Sequence, residues 1–169
     1  VEQAGRSSLP GLWVCGEAAS TGLHGGNRLA SNGLLEALVF ARLAADSIAA
    51  AVPERPAPPV CIAFPPGQQS LDTEAVTCLR RVMTDHVGVL RDGPGLQRAL
   101  AAMEEIQWLA RPSEALTNML TAARLIAGAA LLRQESRGGH FRTDYPDADP
   151  AQAQRSRLTL AHLPVPEIA

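Results

Sequence analysis

The sequence predicts a mainly α protein, the end of an α/β cofactor-binding domain followed by a small three-helix bundle. Three observations predict it. An apolar run leads through a glycine-rich loop into a helix that is apolar almost all round. A cluster of prolines then interrupts regular structure. Beyond it lie three amphipathic helix patterns separated by short breaks.

The first element is Gly11-Leu12-Trp13-Val14-Cys15, a short apolar run that reads as a buried strand leaving through Gly16. Glycine-rich chain follows to Gly33. Leu34 to Ala45 then reads as a helix with no polar face, which belongs inside a larger body. Strand, glycine loop and buried helix form the layout of a nucleotide-cofactor fold, and residues 1–52 are assigned to the end of such a domain. Six prolines between Pro53 and Pro66 exclude helix and central strand. Residues 53–68 are therefore read as a stiff linker.

Residues 69–138 carry the bundle. Val76, Leu79, Met83, Val87 and Leu90 recur at helical spacing, with Ser70 as the expected cap. Asp92-Gly93-Pro94-Gly95 reads as a break. Leu96, Leu100, Met103, Ile106 and Leu109 form the second stripe, which ends at Pro112. Ser113 caps the third, with Glu114 at the positive end of its dipole and Leu116, Met119, Leu120, Ala123, Ile126, Ala127 and Ala130 facing inward. Gly138-Gly139 is the expected stop. Short loops make the three helices an antiparallel bundle. Residues 139–169 read as an irregular tail with one short strand at 157–160.

Composition narrows the function classes. Hydrophobic residues make up 46% and charged residues 19% of 169, a globular balance. The net charge of −2 gives no footprint for nucleic acid. No apolar run is expected to reach the length of a membrane span. Cys15, Cys61 and Cys78 form no C-x-x-C pair, so no metal site is expected; they read as small buried residues in a reducing, cytoplasmic setting. The chain opens on Val1 with no signal-peptide pattern, and it reads as part of something longer.

The chemistry is expected between Gly16 and Glu36. Glu17, at a strand tip, can accept hydrogen bonds from sugar hydroxyls, as the acidic residue of dinucleotide folds does; taken alone it reads as a solvated loop residue. The first amides of the helix have no internal partners, and the dipole there favours negative charge. Those of Gly33 and Leu34 are expected to face the electron-rich edge of a flavin. Arg28, held among glycines, suits bidentate binding of a carboxylate, or else a surface ion pair of little weight. His24 reads equally as a site residue or as a loop histidine bonded to backbone.

Gly11-Leu12-Trp13-Val14-Cys15-Gly16-Glu17 together with His24-Gly25-Gly26-Asn27-Arg28-Leu29-Ala30-Ser31-Asn32-Gly33-Leu34-Leu35-Glu36 resembles the second FAD signature of the succinate dehydrogenase, fumarate reductase and L-aspartate oxidase flavoproteins. Glu135-Ser136-Arg137-Gly138-Gly139-His140-Phe141-Arg142-Thr143-Asp144-Tyr145-Pro146 resembles the motif that follows the helical domain in that family. The resemblance implies FAD as cofactor, bound by Glu17, Gly33 and Leu34. It implies that Arg28 grips a carboxylate of a dicarboxylate substrate; His24 is a substrate-binding candidate from its place in the loop alone. Gly33 stands where the family usually has Ser, and Gly26 where Ala is usual. Leu29-Ala30-Ser31-Asn32 and the short tail side with L-aspartate oxidases, which implies L-aspartate as substrate and oxygen or fumarate as acceptor. The Arg137 motif reads either as interdomain docking or as a helix stop with a salt bridge.

The G-x-G-x-x-G of the ADP half and the capping domain with its proton-transfer arginine are absent. The chain is therefore expected to be a C-terminal part, inactive alone and without catalytic residues, whose partners are the remaining FAD-binding and capping domains. Two rivals stand beside it: a succinate dehydrogenase or fumarate reductase flavoprotein, and a non-catalytic helical assembly module.

Overall fold

A computed structural model describes residues 1–51, 61 and 71–163. It divides into two compact units, Val1–Pro65 and Pro66–Ala169. The proline-rich segment, Cys61 apart, lies outside the described residues, as do Ser70 and residues 164–169.

The first unit is a turn, a β-bridge and one long helix, α1 (Asn32–Ala51). Residues 2–6 fold back on themselves, and Val14 N–H donates to Gly5 O at 2.8 Å. Gly5 has φ +75°, and a side chain there would place Cβ 3.1 Å from the Ala44 methyl; only glycine lets this turn approach α1 so closely. Arg6 Nε and Trp13 Nε1 both donate to Ser47 Oγ, at 3.0 and 3.1 Å. The strand expected over Gly11–Cys15 is reduced to one antiparallel bridge, Arg6 to Trp13, with a 3₁₀ turn at Gly16–Ala18. A strand exists through its neighbours, and the described part of this unit offers the run only that partner. The helix begins two residues before the expected start and runs six further. Its expected burial is not met in this chain: only Phe40 and Ala44 are buried, while Leu34, Leu35, Leu38 and Val39 are exposed.

The second unit holds α2 (Thr73–Val87), α3 (Gly93–Leu109) and α4 (Glu114–Leu132). Each starts on a side-chain cap. Asp72 accepts from Ala75 N–H at 3.1 Å, Asp92 from Gly95 N–H at 2.6 Å, and Ser113 from Leu116 N–H at 3.2 Å. The expected break at Asp92-Gly93-Pro94-Gly95 is instead the start of α3. Asp92 caps it, and Pro94 sits in the first turn, where a missing N–H costs nothing.

Asp72 also accepts from Arg111 N–H at 3.2 Å, tying the start of α2 to the end of α3. One contiguous core joins Val76, Leu79 and Val87 of α2, Leu96, Leu100, Met103 and Ile106 of α3, and Leu116, Leu120, Ala123 and Ala127 of α4. Leu90, Leu109 and Ile126, assigned to that core from their spacing, are exposed: Leu90 has left the helix for a strand, Leu109 closes the last turn of α3, and Ile126 lies on the outer face of α4.

The bundle is closed by its tail. β1 (Leu90–Arg91) pairs in parallel with β2 (Phe141–Arg142). α4 ends at Leu132, six residues before the glycines expected to stop it. Gly138, at φ +59°, turns the chain between Arg137 and His140 instead. No strand forms at 157–160, where a 3₁₀ turn begins at Leu160. Against the expectation that no apolar run reaches that length, α4 is long and apolar enough to cross a membrane by length and composition. In this fold its inward face packs into the bundle core. Cys15, Cys61 and Cys78 are exposed rather than buried.

Candidate active-site segment

The candidate residues lie where the glycine-rich loop meets the start of α1. Glu36, on the second turn of that helix, is the anchor. Thr21 Oγ donates to its Oε1, and His24 Nε2 lies 2.9 Å from its Oε2. Thr21 Oγ in turn accepts from Leu23 N–H at 3.2 Å. The Thr21 hydrogen bond holds the Glu36 carboxyl below its ordinary value, and the His24 bond and the Arg28 charge add to it against partial burial. His24 thus bonds a side chain rather than the backbone.

Arg28 lies against the first turn of α1. A Cβ built on Gly33 would stand 3.2 Å from Arg28 Nη1 and 3.4 Å from Cζ. The missing side chain lets the guanidinium settle close to the helix; a serine at this position would shift it by only a few tenths of an ångström. Arg28 is exposed, and no carboxylate among the described residues pairs with it within ion-pair distance. Between Arg28 and the helix, Ser31 holds φ +66°, a left-handed conformation that costs about 1–3 kcal/mol outside glycine and concentrates at functional sites. Asn32 Nδ2 donates to Ala30 O at 3.3 Å, bracing that turn.

The two expected amides differ. Leu34 N–H donates to Ser31 O at 3.2 Å, whereas Gly33 N–H meets no acceptor among the described residues. One free amide at a helix start, with a guanidinium beside it, fits the electron-rich edge of a flavin and a neighbouring carboxylate. Glu17 is exposed on the 3₁₀ turn at Gly16–Ala18, which packs on α1. Among the described residues no group of His, Cys, Asp and Glu could hold a metal ion. Glu36 was legible only as an isolated charge within an apolar run; its carboxylate is the hub of the loop, and spacing alone gave it no role.

In the second unit the Arg137 motif is internal. Glu135 is fully buried and takes Arg133 Nη1 at 2.6 Å, Arg137 through Nε and Nη2, and Asp149 N–H at 2.9 Å. The Arg137 bond, more than any other, holds its carboxyl down at about 2. His140 is clasped between Arg91 Nη1 at 3.1 Å and Arg133 O at 3.2 Å, and burial lowers its pKa. Arg142, 1% exposed, donates to the carbonyls of Ala130, Leu131 and Arg133 and grips Asp144 with both remaining nitrogens. Asp144 then accepts from Gly93 N–H at 2.9 Å, so this clasp joins the end of α4 to the start of α3.

In sequence and fold the chain is similar to part of the flavoproteins of the succinate dehydrogenase and fumarate reductase class, which are flavin-dependent oxidoreductases. The family profile described as fumarate reductase flavoprotein C-term matches residues 111–163. The Sdh1 complex of Mycobacterium smegmatis in its apo form shares the fold with a TM-score of 0.64 and 31% identity, over 85% of this chain and 29% of that one. A quinol fumarate reductase flavoprotein from E. coli gives 0.63 and 25%, over 89% and 31%. Within the class the likeness is to L-aspartate oxidases. That of Rhodospirillum rubrum is 54% identical over 156 residues, 90% of this chain and 55% of the relative. That of Caulobacter vibrioides is 47% identical over 146 residues, 86% and 27%. The chain thus spans about half the length of the first relative and about a quarter of the second.

Proposed function

We propose that this chain is the substrate-gripping, flavin-facing part of an FAD-dependent L-aspartate oxidase, which converts L-aspartate to iminoaspartate for quinolinate and NAD synthesis in the cytoplasm. The observation that carries the reading is the Arg28 guanidinium lying over Gly33 at the start of α1. Bound FAD would supply the two-electron oxidation, with oxygen or fumarate as final acceptor. Arg28 would take a substrate carboxylate through two charge-assisted hydrogen bonds, neutralising it and fixing the α-carbon's position. The Gly33 amide would donate to the flavin's electron-rich edge, Leu34 would lie against the ring, and Glu17 would hold ribose hydroxyls. His24, held by Glu36, would line the same carboxylate subsite. The remaining FAD-binding and capping domains would complete the enzyme.

The similarity to L-aspartate oxidases at 54% identity, against 25–31% for the solved dehydrogenase and reductase flavoproteins, supports aspartate over succinate. The test is Arg28→Leu in the intact flavoprotein. KM for L-aspartate is expected to rise about 100-fold with a lower kcat, as when a charge-assisted bidentate pair is lost. Unchanged aspartate kinetics would remove Arg28 from the site. A parent enzyme that oxidises succinate and ignores aspartate would overturn the choice of substrate.

A further inference from the structure

The loop that carries Arg28 is anchored to α1 at one described point. Residues 22–28 include three of the chain's glycines and make few backbone hydrogen bonds of their own; Gly25 N–H to Gly22 O at 3.3 Å is the internal one among the described residues. Such a segment has little intrinsic preference for one conformation. Against that, Glu36 spends both carboxylate oxygens on it, one on Thr21 where the loop opens and one on His24 at its middle. Glu36 is three residues beyond Gly33, so the two share a face of α1. Arg28 rests on the upper position and the loop is tied to the lower one. Glu36 is also the sole acidic residue in the first three turns of an otherwise apolar helix, and its side chain is 13% exposed.

We propose that Glu36 is a positioning residue for substrate binding: by pinning Thr21 and His24 to the second turn of α1, it holds the Arg28 guanidinium over Gly33, where it can meet the substrate carboxylate. The inference rests on the assignment of Arg28 to the carboxylate. Glu36 touches neither substrate nor cofactor in this scheme. Its contribution passes through the loop, so it acts on binding more than on the chemical step, and it vanishes when Arg28 is removed.

The experiment is a double-mutant cycle in the intact flavoprotein, with Glu36→Gln, Thr21→Val and Arg28→Leu, each alone and the first two combined with the third. Glu36→Gln is expected to raise KM for L-aspartate about tenfold while kcat changes less than about threefold, the pattern of a misplaced binding group. Thr21→Val removes one of the two ties, keeps the carboxylate, and should give a smaller rise in the same direction. It carries the test if Glu36→Gln fails to fold or loses flavin. In the Arg28→Leu background neither change should raise KM further. The proposal is overturned, with the Arg28 assignment intact, if Arg28→Leu raises KM and both loop variants leave it unchanged. It is equally overturned if the loop variants act undiminished without Arg28, or if they lower flavin content and kcat with KM unmoved. Should Arg28→Leu itself leave KM unchanged, the Arg28 assignment and this inference fall together.

Discussion

Leu38 of α1 and Leu100 of α3 are the same side chain in the middle of long helices, yet the first is 71% exposed and the second 3%. The difference runs through both units. α3 and its neighbours cover one another's apolar stripes, and the polar groups left at the bundle's ends are taken up by Asp72, Asp92, Ser113 and Arg142. Among the described residues of its own unit, α1 has no such neighbours. A short turn covers Phe40 and Ala44, and the rest of a nearly all-apolar helix faces water. Apolar composition makes a helix willing to be buried; only a partner of matching shape buries it. The second unit meets its own needs, whereas the first keeps its chemistry on a surface that its own described residues do not close.

The sharpest way to break that contrast is at Arg142. Arg142→Met would leave the carbonyls of Ala130, Leu131 and Arg133 without the buried guanidinium and Asp144 with only its Gly93 amide. A loss of about 3–5 kcal/mol is expected for the second unit, read by urea unfolding and by amide exchange in α3 and α4. A loss below about 1 kcal/mol would mean that the apolar core alone holds the bundle.

Acid should separate the units next. Glu135 sits at about 2 against an ordinary 4.5, and Asp144 is also lowered by its Arg142 pair. Carboxyls depressed by folding contribute stability above their unfolded values and lose it as pH falls through the folded ones. The second unit is therefore expected to weaken progressively from about pH 4.5 down to about 2. His140, lowered by burial, adds a milder loss that begins below about 6.5. Exchange rates of α2–α4 amides across this range would show it; a flat profile would mean that the Glu135 cluster contributes nothing to stability.

The paired leucines give the finest test. Leu100→Ala should cost about 2–5 kcal/mol through transfer and cavity terms. Leu38→Ala should stay within about 0.5 kcal/mol in this chain. Equal losses, measured by thermal unfolding, would erase the distinction between the units.

The bundle was legible because its stripes recur at helical spacing and Ser113 announces a helix start. Asp92-Gly93-Pro94-Gly95 misled, since residues that break a helix in its interior are welcome in its first turn. Leu90 continued the spacing past the end of its helix, and Leu109 continued it to a last turn that the core does not cover. The strand at Gly11–Cys15 was read from composition, which cannot reveal whether pairing partners are at hand. In the candidate site, Arg28 and Gly33 were found through the motif, and the contact between them follows from the glycine. Glu36 stood in the same motif without a role, because its importance comes from two loop residues brought back to it across twelve and fifteen positions. The burial of Arg142 could not be foreseen from an irregular-looking tail.

The parallel pairing of Leu90–Arg91 with Phe141–Arg142 has a consequence for how the protein is made. During synthesis the three helices emerge before the segment that ties α4 to α3. Until Asp144 clears the ribosome, the carbonyls that end α4 and the amide of Gly93 face water, and the nascent bundle stays open to rearrangement. Closure of the bundle therefore waits on chain elongation, and a stop codon just upstream of Arg142 would release three helices held only by their apolar core and the Asp72–Arg111 tie.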